Sequence, residues 1–360
     1  MTRSTVSVVR MFRLVFSVGV AALIGSLAVS ARAGTIAMVT VGNPGNANDT
    51  DGTHNGAVAY SYQIGKYDVT IGQYASFLNA VDPNGTNPNG IYNSSMATDL
   101  NIAGISYTSG ASAGSKYAVI SNGGNSSNRP ITYVSWFDAA RFANWMTNGQ
   151  GGGDTETGAY TLNGATSGNA VAANPGAAFR LPTNDEWYKA AYYSPNYGGV
   201  GVAGYYAYAT QSNTDPGNIV GSTANQANYQ TDAGYSVTQS VSYDPNQNYL
   251  TDVGAFSGSG SFYGTFDQSG NVWQWNDLDG TPGSSRGLRG GDWGSSDAYT
   301  LSSSYSYSDD PSSENLNIGF RLASPVPSGV PEIDPNSLGS VLALVLGSLG
   351  LLERRRLKAA

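Results

Sequence analysis

Three long stretches of the chain, residues 82–130, 147–178 and 194–265, are dense in Gly, Asn and Ser. Such stretches do not build long helices: Gly surrenders too much backbone freedom, and Asn and Ser bond to nearby backbone instead. They are also longer than a compact domain tolerates as slack loop, so something must order them. The 24 tyrosines and 6 tryptophans are one means, and bound calcium is another. Between the stretches lie three short helical signals. "VTIGQYASFLNA" offers Thr70 as N-cap with Gln73 three residues on, "VSWFDAARFANWMTN" offers Ser135 with Asp138 in the first turn, and "LPTNDEWYKAAYY" offers Thr183 with Glu186. Phe142, Trp145 and Met146 fall at i, i+3 and i+4, which predicts a buried helix face. Short strands are expected in "SYQIGKYDV" and "GFRLA", and no internal repeat is visible. The pattern predicts one α+β domain, poor in regular secondary structure, with a few short helices, short antiparallel strands and long ordered loops.

The side chains available restrict the chemistry. The chain has no cysteine, so disulfides, thiolate nucleophiles, zinc–sulfur sites and iron–sulfur sites are excluded. Its one histidine, His54, lies in "NDTDGTHNGA" and reads as a solvated loop residue without the orienting partners that catalysis needs. Between Gly34 and Pro331 stand 9 basic and 22 acidic residues, a net charge of −13. Nucleic acid is therefore not an expected partner, because phosphate binding needs clustered Lys and Arg. Cations, calcium above all, suit such a surface better.

Both ends read as addresses. Residues 1–33 combine Arg3, Arg10 and Arg13, an apolar run and the small-residue site "ARA" ending at Ala33, the pattern of a secretory signal peptide. Residues 34–54 follow as an N-terminal mature segment, then the body over 55–323. Residues 324–336 form a Pro/Gly/Ser linker with the Pro331–Glu332 element. Residues 337–360 form an apolar segment that ends in a basic tail. This order resembles the bacterial PEP-CTERM sorting signal, with Ile333 in place of the second proline. The resemblance implies export, attachment to the membrane through the C-terminal segment, and release by an exosortase-like protease to the cell envelope or extracellular matrix.

Read in order, "IGKYDVTIGQYASFLNAV", "NRPITYVSWFDAARFANWM", "GAYTL", "FRLPTNDEWYKAAYY", "YGTFDQSGNVWQWN", "GLRGGDW" and "IGFRLAS" resemble the sulfatase-modifying-factor, or formylglycine-generating-enzyme, domain. The resemblance covers residues 55–323 and implies a C-type-lectin-like variant of the α+β class. Gly290 and Gly291 are expected in turn conformations. Trp273, Trp275 and Trp293 are expected either as packing anchors or as a sugar-stacking platform. Arg180, Arg289 and Arg321 are expected to pair internally with carboxylates such as Glu186.

The enzymes of that family hold copper through two cysteines between the last two motifs. The corresponding residues 295–317, "SSDAYTLSSSYSYSDDPSSENLN", contain none, so no copper is expected and formylglycine formation is excluded for this chain. The resemblance further implies structural calcium. One ligand set would use the Asp267 carboxylate, the carbonyls of Gly270 and Val272, and Gln274 where the family often has Glu. A second would use Asn228 and the Tyr229 carbonyl, completed by Asp244 or Asp252. In the replaced segment Tyr299, Tyr305 and Tyr307 are the candidate ligand-binding residues, since Tyr and Ser favour adaptable binding surfaces. The reading is an exported, non-catalytic recognition or scaffold protein that binds an extracellular glycan or protein. An enzyme of other chemistry on the same scaffold and a structural matrix component are the alternatives.

Overall fold

The computed structural model describes residues 34–51 and 54–327. The predicted signal peptide, most of the linker and the C-terminal segment lie outside the described residues. No helix among the described residues is long and apolar enough to cross a membrane.

Four helices form. All three predicted capping signals operate as capping boxes. Helix α1, Ile71–Val81, starts where the Thr70 side chain accepts from the Gln73 N–H and the Gln73 side chain accepts from the Thr70 N–H. Helix α2, Ser95–Thr98, is a single turn. Helix α3, Trp136–Thr147, is capped by Ser135 with Asp138, and helix α4, Asn184–Tyr192, by Thr183 with Glu186. Phe142, Trp145 and Met146 are buried as predicted, but α3 is buried on every face from Trp136 to Met146.

The strands are short. β1 (Met38–Val41), β2 (Tyr62–Gly65) and β13 (Ala323–Pro325) form one sheet with β2 in the centre, so residues 34–51 are sewn into the body rather than standing apart from it. β3 (Ile105–Tyr107) pairs with β4 (Tyr117–Val119), β5 (Tyr193–Ser194) with β6 (Gly204–Tyr205), and β7 (Gln230–Thr231) with β8 (Gly234–Tyr235). The central sheet has the order β11 (Tyr307–Asp309), β10 (Arg286–Arg289), β9 (Trp273–Asn276), β12 (Ile318–Phe320). Its β12–β9 pair is parallel, an exception to the expected antiparallel pattern.

The central sheet has two working faces. Trp275, Leu288 and Phe320 join the main core with Trp136 and Phe142 of α3 and Tyr74 and Phe77 of α1. On the other face Gln274 meets Trp187 of α4 in a 2.7 Å hydrogen bond. The strand alternation thus separates an apolar layer from a polar one.

The long loops are ordered largely by asparagine amides, a role the sequence did not announce. Asn101 donates to the carbonyls of Asp244 and Gln247, and Asn144 to those of Thr155 and Tyr160. Asn43, Asn87, Asn89, Asn163, Asn225 and Asn271 also take positive φ, a region Asn tolerates because its short side chain bonds locally.

Candidate functional site: an aromatic platform and its groove

The segment 295–317 is built around Trp273 at the start of β9. Asp297 caps the short 3-10 turn Ala298–Leu301, accepting from the Tyr299 N–H at 2.9 Å. Ser302 then closes the turn by donating to the Tyr299 carbonyl at 2.7 Å. Arg289, almost wholly buried, donates to the carbonyls of Ser303 at 3.2 Å and Tyr305 at 2.7 Å. The same guanidinium lies 4.9 Å over the Tyr188 ring and bonds Asn184 at 2.6 Å. It therefore holds the segment to α4, and it pairs with carbonyls and an amide rather than with the carboxylate expected of it. Arg180 does follow the expectation, gripping Glu186 at 2.5 and 2.6 Å. Arg321 pairs with Asp68 at 3.1 Å.

The three candidate tyrosines come together. Tyr299 and Tyr305 meet edge to face, with ring centroids 5.4 Å apart. Tyr305 and Tyr307 both approach Trp273, at 5.8 and 6.5 Å. Tyr299 and Tyr307 are 53% and 52% exposed, which is high for aromatic rings in a folded domain, while Tyr305 and Trp273 are half-buried. Three tyrosines and a tryptophan thus form one platform whose inner members support its outer ones.

Trp273 is also the shared wall of a groove of about 460 Å³, lined with Trp293, Ser296, Asp297, Thr300 and Asn317. Trp293 is buried and stacks on Tyr249 at 4.8 Å with the rings 7° from parallel. Its Nε1–H has no hydrogen-bond partner among the described residues. Asp292, beneath the same groove, accepts from Gly294 N–H, the Ser295 hydroxyl and the Asn317 amide. Burial raises its carboxyl above the ordinary value, and these hydrogen bonds oppose the rise. The three tryptophans therefore divide: Trp275 packs and donates to the Val134 carbonyl at 3.0 Å, Trp273 stands half in the open, and Trp293 lies between the two conditions. No spacing in the sequence signals the free Trp293 donor or the role of Arg289, because both depend on contacts between distant segments.

The residues expected to hold calcium are close together but committed elsewhere. Gln274 Oε1 accepts from Trp187 Nε1 and from Arg321 Nε, each at 2.7 Å, and its Nε2 donates to the Asp267 carbonyl at 2.6 Å. The Gly270 carbonyl accepts from the Val272 N–H, and the Asp267 carboxylate accepts from Gly254 N–H at 2.6 Å. Burial pushes the Asp267 carboxyl up to about 6. In the second set, Asn228 turns its Nδ2 to Tyr249, Thr251 and Asn271, and the Tyr229 carbonyl accepts from Asn218 and Ser236. Calcium needs six to eight oxygens with carboxylate charge among them. A guanidinium bonded to Gln274 and oxygens already taken do not fit that demand. Among the described residues no three His, Cys, Asp or Glu side chains cluster as a metal site. His54 is exposed, has φ +54° and lines neither platform nor groove.

Gly270 and Gly290 form the turns that flank the two interior strands β9 and β10. Gly270 has φ +82°, and a Cβ there would stand 2.3 Å from the Asn228 carbonyl. Gly290 has φ +99° with the Gln268 carbonyl 3.0 Å away, and Gly291 has φ +70°. Only glycine meets both the conformation and the space.

Fold and site together define a C-type-lectin-like α+β domain of the formylglycine-generating-enzyme type, without the thiolates of that enzyme. Over residues 25–326 the chain matches the family described as sulfatase-modifying factor enzyme 1-like domain, and it belongs to that family. Among solved structures it is similar to CarF, with 20% identity over 81% of this chain and 99% of that one, at a TM-score of 0.45. It is also similar to Treponema denticola variable protein 1, with 18% identity over 81% and 98% of the two chains and a TM-score of 0.42. For PvdO from Pseudomonas aeruginosa the values are 17% identity, 80% and 94%, and 0.40. No curated protein matches the chain.

Proposed function

We propose that this protein is an exported, non-catalytic recognition protein that binds an extracellular glycan or protein ligand at the Trp273 platform. The observation that carries the reading is the platform itself. Two half-exposed tyrosines, Tyr299 and Tyr307, are held in fixed positions by Tyr305, Trp273 and the buried Arg289. Large aromatic rings held rigid at a surface give contact area at little cost in conformational entropy, which is how binding surfaces use Tyr. Export and envelope attachment rest on residues 1–33 and on the PEP-CTERM-like order of residues 324–360.

The test is a binding screen of the full-length chain against polysaccharides and envelope proteins, run beside the double variant Tyr299→Ser/Tyr307→Ser. Binding that the double variant loses supports the reading. Binding that survives it places the ligand elsewhere and overturns the platform.

A further inference from the structure

We propose that the groove beside the platform is a subsite for a neutral polysaccharide, one sugar lying against Trp273 and presenting an oxygen to Trp293 Nε1–H. This rests on the recognition reading above and names its ligand class. The groove, at about 460 Å³, falls in the range of small-ligand clefts, about 300–1,000 Å³. Its lining mixes indole faces with Ser296, Thr300 and Asn317, groups that both donate to and accept from hydroxyls. Sugar rings have the same mixture, with C–H faces that stack on aromatic rings and hydroxyls around the rim.

Charge selects within the glycans. Asp292 and Asp297 line the groove, Asp309 ends the adjoining strand β11, and no Lys or Arg is among the lining residues. The nearby guanidinium of Arg289 is buried and spends its bonds on Asn184, Ser303 and Tyr305. Uronate and sulfate polymers would meet repulsion without a counter-charge, whereas neutral sugars meet none.

Trp293 gives the second observation. Its Nε1–H is buried and has no acceptor among the described residues. A buried donor without a partner is an unfavourable state that any oxygen reaching it relieves. The nitrogen is closed to solvent, so the bond requires the lining around Trp293 to shift and admit a hydroxyl oxygen, a cost that the new partner for this donor offsets. The stack on Tyr249 fixes the indole while this happens.

The experiment is affinity electrophoresis of the full-length chain through gels holding neutral polymers (dextran, mannan, xyloglucan, hydroxyethylcellulose) or anionic ones (alginate, polygalacturonate), with melting curves for each variant. Retardation by at least one neutral polymer and by neither anionic polymer is expected. Trp293→Phe, which keeps a stacking ring and removes the N–H, is expected to weaken that binding about five- to tenfold. Ser296→Lys, at an exposed position, is expected to admit alginate. Retardation by no neutral polymer, equal retardation by the anionic ones, or a Trp293→Phe protein that binds like the parent while melting normally overturns the inference. If only a protein ligand binds, and does so through Tyr299 and Tyr307, the platform reading stands and the glycan subsite falls.

Discussion

Gln274 and Arg321 meet in a 2.7 Å hydrogen bond in the buried layer between the central sheet and α4, and the same Gln274 oxygen also accepts from Trp187. The amide then returns a donor to the Asp267 carbonyl, so three segments close on one side chain. Gln274→Leu would leave a guanidinium N–H, an indole N–H and a carbonyl short of a partner, at about 3–5 kcal/mol in total. Urea unfolding of parent and variant measures it; a loss below ~1 kcal/mol would show that the layer rearranges.

The same hub bears on calcium. Several oxygens of both expected ligand sets are already bonded within the protein, those of Gln274, Asp267 and Tyr229 among them, and Arg321 brings positive charge to the first. Melting curves in calcium and in chelator are expected to superimpose. A melting temperature raised by calcium and restored by chelation would show a native-state site.

Four buried carboxyls, those of Asp267, Asp138, Asp277 and Asp68, are raised by burial and set a pH dependence. Burial pushes Asp267 up to about 6 and Asp138 up to about 7, the latter also through the nearby Glu314 charge. An unfolded Asp titrates near ~3.9, so between these values the folded state holds protons that the unfolded chain releases. Their contribution is complete at the acid end and is lost as pH rises through 6 and then 7. The domain is expected to melt higher at pH ~5 than at pH ~8. Asp267→Asn, which keeps the acceptor for Gly254 N–H, should flatten part of the slope. A melting temperature that rises over this interval would reverse the assignment.

At the platform, stability and binding should separate by residue. Tyr299→Ser/Tyr307→Ser removes two half-exposed rings and should change stability by no more than ~1 kcal/mol. Tyr305→Ser takes away the ring that touches both Tyr299 and Trp273, and should cost more. If the exposed pair proves the costlier, Tyr299 and Tyr307 are structural and not a surface for ligand.

What could be read from the sequence was local. The caps at Thr70, Ser135 and Thr183 involve partners three residues away, and Arg180 finds Glu186 within one short segment. Gly290 and Gly291 are legible because glycine pairs mark turns. The parallel β12–β9 pair was not, since its strands lie more than 40 residues apart and three residues carry no register signal. Nor were the asparagine staples: Asn101 reaches residues 244 and 247, and nothing near position 101 names them. The tyrosine platform fell between these cases. Its members were identifiable from the replaced segment, but its centre, Trp273, belongs to a different motif.

Strand β13 has a mechanical consequence. It is bound on one side to β2 and on the other to Arg180, whose N–H and carbonyl both bond Ala323, at 2.9 and 2.7 Å. Tension applied through the chain beyond Pro325 would run along this strand and load the bonds on both flanks together, in shear rather than one after another. Part of that load passes through Arg180 to Glu186 and into α4, which Arg289 in turn links to the segment bearing the tyrosines. A domain pulled at its C-terminal end while gripped at its platform would carry the strain through a chain of partly buried polar contacts.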